Sequence, residues 1–255
     1  MSALPAAFVR VPIAHRALHD RDAGRPENSR AAIRAAIDAG YGIEIDLQQS
    51  RDGRAMVFHD YDLGRLTGID GPIRQRDAQD LEKLPLLHCD ETIPTLSEIL
   101  SLVAGQVPLL IELKDQHGQM GPTDGVLERA VAEDLRSYDG PVALMSFNPH
   151  AVAHLADYAP SIPRGLVTCG YEPDDWPLLK EETRAHLREI PDYDRAGACF
   201  VSHHLGDLER PRLAELKAQG ANVLSWTIRS PAEEAEARQV ADNVTFEGYL
   251  PSVAG

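Results

Sequence analysis

Residues 42–60, GIEIDLQQSRDGRAMVFHD, contain the pattern that decides the fold. Acidic and apolar residues alternate over 42–48, as in a β-strand whose two faces meet different surroundings. Only the short segment RDG at 51–53 separates this run from a second β-like run at 55–59. A parallel crossover needs about a dozen residues or more, whereas Asp-Gly is a favoured hairpin turn. The two runs therefore predict an antiparallel hairpin.

Outside this hairpin, β-like runs alternate with helical patterns along the chain. The predicted strands cover residues 12–16, 42–48, 108–114, 141–147, 164–168, 199–204, 222–228 and 244–247. The predicted helices cover residues 26–39, 95–104, 123–138, 150–158, 176–189, 209–219 and 231–240. This alternation predicts an α/β fold, a closed TIM (β/α)8 barrel with the hairpin after its second strand. A doubly wound sheet is the alternative, disfavoured because no GxGxxG or Walker motif follows the first strand.

We expect residues 1–255 to form a single TIM-barrel domain. Residues at about 61–93 have weak periodicity and several turn signals, so they are predicted to form a small insertion over the C-terminal face. Residues 1–12 lack a basic start followed by a long apolar run, so no signal peptide is predicted. No apolar stretch reaches the roughly 18 residues that a membrane span needs.

Net charge and cysteine content limit the kinds of partner and the cellular setting that are expected. The formal net charge of −15 repels nucleic acids and anionic lipid surfaces, so neither nucleic-acid binding nor stable membrane association is expected. The 3 cysteines show no CxxC spacing, which disfavours a disulfide framework and a thiolate metal site. A reducing, cytoplasmic setting fits this pattern best. The sequence does not define an oligomeric state.

Acidic residues at alternate strand positions predict a metal site. Glu44 and Asp46 share one face of their strand, and Glu112 and Lys114 share one face of another. A single inward acid is more often a structural group, and Lys114 is a ready partner for Glu112. Three carboxylates converging inside a barrel would repel one another, and a divalent cation removes that repulsion. An all-oxygen site suits one Mg²⁺ or Ca²⁺ ion.

Two histidines are predicted at the barrel mouth. His15 and Arg16 end the first strand, and the C-terminal strand ends of such barrels form active sites. His59 ends the returning arm of the hairpin near the same rim. Two imidazoles on opposite sides of a phosphoester can act as general base and general acid. Arg16 suits bidentate binding of the phosphate.

An ordered set of motifs resembles one known family. The motifs are AHRA at 14–17, PEN at 26–28, EIDLQQSRDG at 44–53, VFHD at 57–60, IPTLSEIL at 93–100 and IELK at 111–114. Together they resemble the glycerophosphodiester phosphodiesterase family, within the phospholipase-C-like phosphodiesterases. The resemblance covers about the first 115 residues, with weaker support from MSFNP at 145–149 and SWTI at 225–228.

The resemblance implies hydrolysis of a small-molecule glycerophosphodiester to glycerol 3-phosphate and an alcohol, a reaction of glycerol and lipid metabolism. It implies metal ligation by Glu44, Asp46 and Glu112, and general acid/base catalysis by His15 and His59. Arg16 and Lys114 would contact the phosphate, and Trp226 would pack against the substrate. The nucleophile would be the 2-hydroxyl of the glycerol, giving a cyclic phosphate, with direct attack by water as the alternative.

The chain also departs from the family pattern. Ala17 stands where the family usually has glycine, and NVTFEGYLP at 243–251 replaces a strand that usually ends in Thr-Asp before a proline. No function is therefore transferred to Glu247. Three alternatives stay open: a lysophospholipid or sphingolipid phosphodiesterase using the same site, a barrel aldolase or hydrolase with Lys114 as a Schiff base, and a non-catalytic binding barrel.

Overall fold

A closed barrel of parallel strands forms the centre of the computed structural model, which describes residues 3–253. Its strands are β1 (Ile13–Ala14), β2 (Gly42–Gln49), β4 (Leu109–Leu113), β5 (Val142–Ser146), β6 (Arg164–Thr168), β7 (Phe200–His204), β8 (Asn222–Ile228) and β9 (Asn243–Phe246), with β3 (Ala55–Val57) outside the barrel. Each barrel strand pairs in parallel with its neighbours, and β1 closes the barrel by pairing with both β9 and β2. The predicted TIM barrel is confirmed.

The hairpin is confirmed by the pairing of β3. It is antiparallel to the end of β2, with Leu47 opposite Val57 and Gln49 opposite Ala55. Gly53 in the turn has φ of +82°, a conformation that glycine adopts without strain. The returning arm therefore carries His59 back toward the barrel mouth, as the sequence predicts.

Helices surround the barrel. They are α1 (Ala7–Arg10), α2 (Arg30–Ala39), α3 (Gly64–Thr67), α4 (Ala78–Leu81), α5 (Leu96–Val103), α6 (Val126–Asp134), α7 (Pro149–Tyr158), α8 (Glu181–Arg188), α9 (Pro211–Ala218) and α10 (Pro231–Ala237). Local capping sets several boundaries: the Ser29 side chain accepts the Ala32 N–H at the start of α2, and Thr95 accepts the Glu98 N–H at the start of α5. No helix within residues 3–253 is long and apolar enough to cross a membrane.

The lower part of the barrel is apolar and closed. Phe8 of α1 is fully buried and packs in one cluster with residues from the barrel interior, including Leu110 and Phe200. A Cβ at Gly165 would lie 2.4 Å from the Phe200 ring, so glycine leaves the space that this ring fills. Because the bottom of the barrel is packed, polar chemistry is restricted to the C-terminal mouth.

Residues 61–93 pack around an apolar cluster of their own. Leu63, Ile73, Leu81 and Ile93 are buried there, together with Phe58 after β3. The segment contacts the loop after β4 through hydrogen bonds from Tyr61 to Asp115 and from Arg74 to Gln116. It therefore packs at the C-terminal ends of β2 and β4, the face on which the insertion is predicted to lie.

Two helices begin four or more residues later than their sequence patterns predict. The pattern beginning at Pro26 becomes helical only at Arg30, because Asn28 has φ of +59° and bonds to Asp46. The pattern beginning at Trp176 becomes helical only at Glu181, after Pro177, which has no N–H for a helical hydrogen bond. In both places the missing turns form loops at the barrel mouth.

Candidate active site

Three carboxylates converge where β2 and β4 lie side by side. Glu44 and Asp46 alternate on the inner face of β2, and Glu112 pairs in register with Asp46. One carboxylate oxygen of each residue lies within 4.8 Å of the other two, and all three side chains are buried. The strand alternation read from the sequence thus brings the three predicted metal ligands together.

Glu44 has the least compensated carboxylate of the three. Its Oε2 accepts the backbone N–H of Arg16 at 2.8 Å, whereas its Oε1 is buried and accepts no hydrogen bond from residues 3–253. Burial raises the pKa of Glu44 well above its ordinary value, and the charges of Asp46 and Glu112 raise it further. A cation beside Oε1 would be strongly stabilised.

Lys114 neutralises part of the negative charge. Its Nζ lies 2.8 Å from Asp46 Oδ1 and 2.7 Å from Glu112 Oε1. Burial opposes the ammonium charge, but Asp46 and Glu112 outweigh it and raise the pKa of Lys114 above its ordinary value. Because a Schiff base forms from a neutral amine, this pairing disfavours the aldolase alternative.

The acidic cluster fits a hard divalent cation. Its donors are carboxylate oxygens, which both Mg²⁺ and Ca²⁺ prefer, and the orphaned Glu44 Oε1 offers a free position. Asn28 fixes the orientation of Asp46, because its Nδ2 donates to Asp46 Oδ2 at 2.9 Å. A braced carboxylate next to an unpaired one is a suitable arrangement for binding a metal ion.

His15 is oriented by Glu247, a residue that the sequence interpretation left without a role. His15 Nδ1 lies 2.6 Å from Glu247 Oε2, and Arg229 Nε donates to Glu247 Oε1 at 2.8 Å. Burial lowers the pKa of His15 below its ordinary value, while the hydrogen bond to Glu247 acts to raise it. Several interactions lower the pKa of Glu247 far below its ordinary value, and the hydrogen bond with His15 has the largest effect.

His59 has a similar arrangement on the other side of the mouth. Its Nδ1 lies 2.7 Å from Asp60 Oδ1, and Arg65 Nε donates to Asp60 Oδ2 at 2.6 Å. Burial alone would raise the pKa of Asp60, but the hydrogen bonds from His59 and Arg65 lower it well below its ordinary value. Because both histidines use Nδ1 to bond a carboxylate, Nε2 is the nitrogen left for substrate.

Arg65 links the His59 side to Arg16. Its guanidinium donates to Glu27 at 2.7 and 2.8 Å, and Arg16 Nη1 donates to the same carboxylate at 2.8 Å. Arg16 Nε is buried with no hydrogen-bond partner among residues 3–253. It lies 3.6 Å from Asp46 Oδ2, so Arg16 also offsets part of the charge of the acidic cluster.

A cavity of about 190 Å³ brings the predicted residues together. Seven of them line it: His15, Arg16, Glu44, His59, Glu112, Lys114 and Trp226. Asp46, the eighth, is 1% exposed and does not line the cavity, but it contacts Lys114, which does. Arg229, which the sequence interpretation did not single out, also lines the cavity.

The Glu247 contact depends on closure of the barrel. Ala14 pairs with Phe246 across β1 and β9, so the next residues, His15 and Glu247, come together at the strand ends. The family motif does not predict a role for Glu247, because residues 243–251 depart from that motif. The register of the first and last strands is the signal that would have identified Glu247.

Fold and site together define a (β/α)8 barrel enzyme with a phosphoester-type site, in which histidines, a guanidinium and clustered acids meet at the C-terminal mouth. The model of the glycerophosphoryl diester phosphodiesterase family matches residues 15–244. The chain belongs to this family.

Individual relatives agree in sequence and in fold. The Bacillus subtilis protein YhdW is 27% identical over 221 residues, which cover 83% of this chain and 84% of that protein. A glycerophosphodiester phosphodiesterase of Caldanaerobacter subterraneus is 30% identical over 171 residues, covering 63% and 70% of the two chains. The solved structure of an Oleispira antarctica phosphodiesterase, in complex with its product sn-glycerol-3-phosphate, has a TM-score of 0.76 at 25% identity and covers 95% of each chain.

Proposed function

We propose that the protein hydrolyses glycerophosphodiesters to glycerol 3-phosphate and an alcohol, with a divalent metal ion and two histidines. The observation that carries this proposal is the single cavity bordered by His15, His59, Arg16 and two acids of the cluster. The product bound to the Oleispira antarctica phosphodiesterase is glycerol 3-phosphate, which supports the same substrate class here.

Glu44, Asp46 and Glu112 would hold one Mg²⁺ or Ca²⁺ ion. When bound, such an ion neutralises charge on the phosphate oxygens and the charge that builds in the transition state. Arg16, which lines the cavity, would bind a phosphate oxygen through its guanidinium, and Lys114 would add positive charge beside it. Trp226 would form an apolar wall for the substrate.

His15 and His59 would transfer the protons. One Nε2 accepts the proton of the attacking hydroxyl while the other donates a proton to the leaving alkoxide oxygen, so the two rings exchange protonation states during the reaction. Glu247 and Asp60 would stabilise whichever ring carries the additional proton, because each accepts from Nδ1. The attacking hydroxyl is either the glycerol 2-hydroxyl or water, and trapping a cyclic phosphate by ³¹P NMR would identify the first route.

Metal-restored turnover is the first test. The protein is stripped with a chelator and assayed with glycerophosphocholine, glycerophosphoethanolamine and glycerophosphoglycerol, alone and with Mg²⁺ or Ca²⁺. We expect release of glycerol 3-phosphate to fall at least about 100-fold on stripping and to return with the metal. A Glu44→Gln variant should bind the metal more weakly, which calorimetry measures independently of turnover.

Other outcomes of this assay would favour the alternatives. Turnover confined to lysophospholipids or sphingolipids would replace the proposed substrate class while keeping the site. Metal binding without turnover of any diester would favour a binding barrel. Equal turnover with and without metal would contradict the metal-dependent mechanism.

We further propose that the chain works as a single domain, with residues 61–93 as a small insertion over its C-terminal face. Pairing of β1 with β9 supports this organisation, because it joins the two ends of the described chain. A cytoplasmic location stays a prediction, in agreement with the free thiols of Cys89, Cys169 and Cys199.

A further inference from the structure

A second cavity adjoins the catalytic one. It has a volume of about 500 Å³ and lies between the loops that follow β6 and β7. Trp226 lines both cavities, so one indole ring separates the predicted site of phosphate chemistry from this neighbouring space. We call it the aromatic–acidic cavity, after its lining residues Tyr171, Glu172, Asp175, Trp176, His204 and Trp226.

Aromatic rings form one side of this cavity. Trp176 lies with its ring centroid 5.3 Å from that of Tyr171, and 5.0 Å from that of Phe147, which lines the catalytic cavity. Phe147 in turn meets Trp226 edge to face at 5.5 Å. The late start of α8 leaves Trp176 in the loop, where its half-buried ring borders the cavity.

The lining of the cavity also carries negative charge that no ion pair compensates. Within residues 3–253, the carboxylates of Glu172 and Asp175 form no ion pair. Asp207 also lines the cavity, but Arg210 lies 3.1 Å from it and neutralises its charge. Two carboxylates without an ion pair and two indole rings in one cavity lining favour a cation over an anion.

We propose that this cavity binds an ammonium group on the alcohol part of the substrate, as found in choline or ethanolamine. The inference rests on the proposed phosphodiesterase function and specifies which diesters the enzyme prefers. Electron-rich ring faces attract quaternary and primary ammonium groups, and carboxylates add Coulombic attraction. The position next to Trp226 suits a substrate whose phosphate and ammonium are joined by a short linker.

Substrate preference tests the proposal. We expect the wild-type kcat/KM to be at least about 10-fold higher for glycerophosphocholine or glycerophosphoethanolamine than for glycerophosphoglycerol, whose alcohol part is uncharged. The double variant Glu172→Gln/Asp175→Asn should lower kcat/KM for the two ammonium-bearing diesters about 10-fold and change that for glycerophosphoglycerol less than about twofold. Trp176→Leu should affect the choline diester more than the ethanolamine diester, because the quaternary ammonium cannot hydrogen-bond to a carboxylate.

Asp174→Asn is the matched control. Asp174 is exposed and lies between the two acids in sequence, but it does not line the cavity. Its replacement removes one negative charge from the same loop, against two in the double variant, and should leave turnover of all three diesters unaffected. If Asp174→Asn lowered turnover of the ammonium-bearing diesters as much as the double variant, the cavity itself would not be the binding site.

Choline binding provides a readout that does not need turnover. The chain has 2 tryptophans, Trp176 and Trp226, and both border the cavity, so choline should quench their fluorescence saturably. Equal turnover of all three diesters without choline binding would overturn the ammonium site and leave the proposed function intact. Failure of every diester would refute the proposed function, whereas saturable quenching by choline in the same protein would still support the site.

Discussion

The two histidines at the mouth meet their carboxylate partners in different ways. His15 contacts Glu247, 232 residues away in the chain, whereas His59 contacts the adjacent residue Asp60. The His15 side chain is 15% exposed and that of His59 is 29% exposed. In each pair an arginine, Arg229 or Arg65, holds the far side of the carboxylate.

This difference indicates how much each histidine depends on its partner. At His15, burial disfavours the imidazolium, and Glu247 supplies the opposing stabilisation. At His59, water can replace part of the contribution of Asp60, because the ring is more exposed. The same local geometry should therefore matter more for the buried histidine than for the exposed one.

The largest expected effect is the loss of either imidazole. His15→Ala and His59→Ala should each lower kcat by about 10³-fold or more, because each removes a proton-transfer group. Metal affinity should be retained, since neither residue belongs to the acidic cluster. Steady-state kinetics with glycerophosphocholine and calorimetric metal titration measure the two quantities.

His154→Ala is the control for these variants. His154 lies on α7, stacks on Tyr158 and does not line the catalytic cavity. Its replacement should leave kcat unchanged. Full activity of His59→Ala would show that His59 has no catalytic role. The two histidines could then no longer be compared as functional equivalents.

The next effect separates the two carboxylates. Glu247→Gln should lower kcat about 100-fold, because a neutral amide cannot stabilise the buried His15 imidazolium. Asp60→Asn should lower kcat only about 10-fold, because solvent reaches His59. Both substitutions keep the side-chain shape, so KM for glycerophosphocholine should change little.

Unfolding midpoints in urea distinguish a functional effect from general damage to the fold. We expect both variants to unfold within about 0.5 M urea of the wild type, since each carboxylate is partly exposed. Equal losses of kcat in the two variants would show that a buried histidine does not depend more on its carboxylate partner than an exposed one. A larger loss of kcat for Asp60→Asn would show that the more exposed histidine depends more on its carboxylate.

The carboxylate partner of His59 can be predicted from the sequence, whereas that of His15 cannot. The dipeptide His59-Asp60 is visible in the motif VFHD, and strand alternation alone places Glu44, Asp46 and Glu112 on inward faces. These features depend on neighbours in sequence or on a period of two along a strand, so a local pattern is sufficient to predict them.

Features set by tertiary contacts were not predictable in this way. The meeting of His15 with Glu247 needs the register of β1 against β9, which no local pattern encodes. The aromatic–acidic cavity needs the loop at Trp176 to remain non-helical, although its sequence was interpreted as helix. Strand interiors were predicted more closely: the bounds of β6 and β8 agree with the sequence prediction, because both are buried runs with clear ends.

The smallest effect concerns a third histidine, His203, whose neighbouring carboxylate, Asp207, lies 3.6 Å from its Nε2 without forming a hydrogen bond. His203 is 0% exposed, its Nδ1 lies 2.7 Å from the Thr168 hydroxyl, and its Nε2 is buried without a hydrogen bond within residues 3–253. Burial, assisted by the positive charge of Arg210, lowers the pKa of His203 from 6.5 to about 4. His203 therefore stays neutral in the folded protein at pH values where the unfolded chain binds a proton.

The stability contributed by neutral His203 should be lost as the pH falls. The unfolded imidazole takes up a proton below pH 6.5 and the folded one only near pH 4, so stability declines through that window and levels off below it. Between pH 7.5 and pH 5, the free energy of unfolding of the wild type should fall by about 2 kcal/mol more than that of His203→Gln. Urea unfolding of both proteins at the two pH values measures this difference, with His117→Gln at an exposed position as the control. A constant gap between wild type and His203→Gln would mean that His203 has the same pKa in the folded and unfolded states. Burial would then have too little effect on the charge of an imidazole in this barrel to explain the expected difference between His15 and His59.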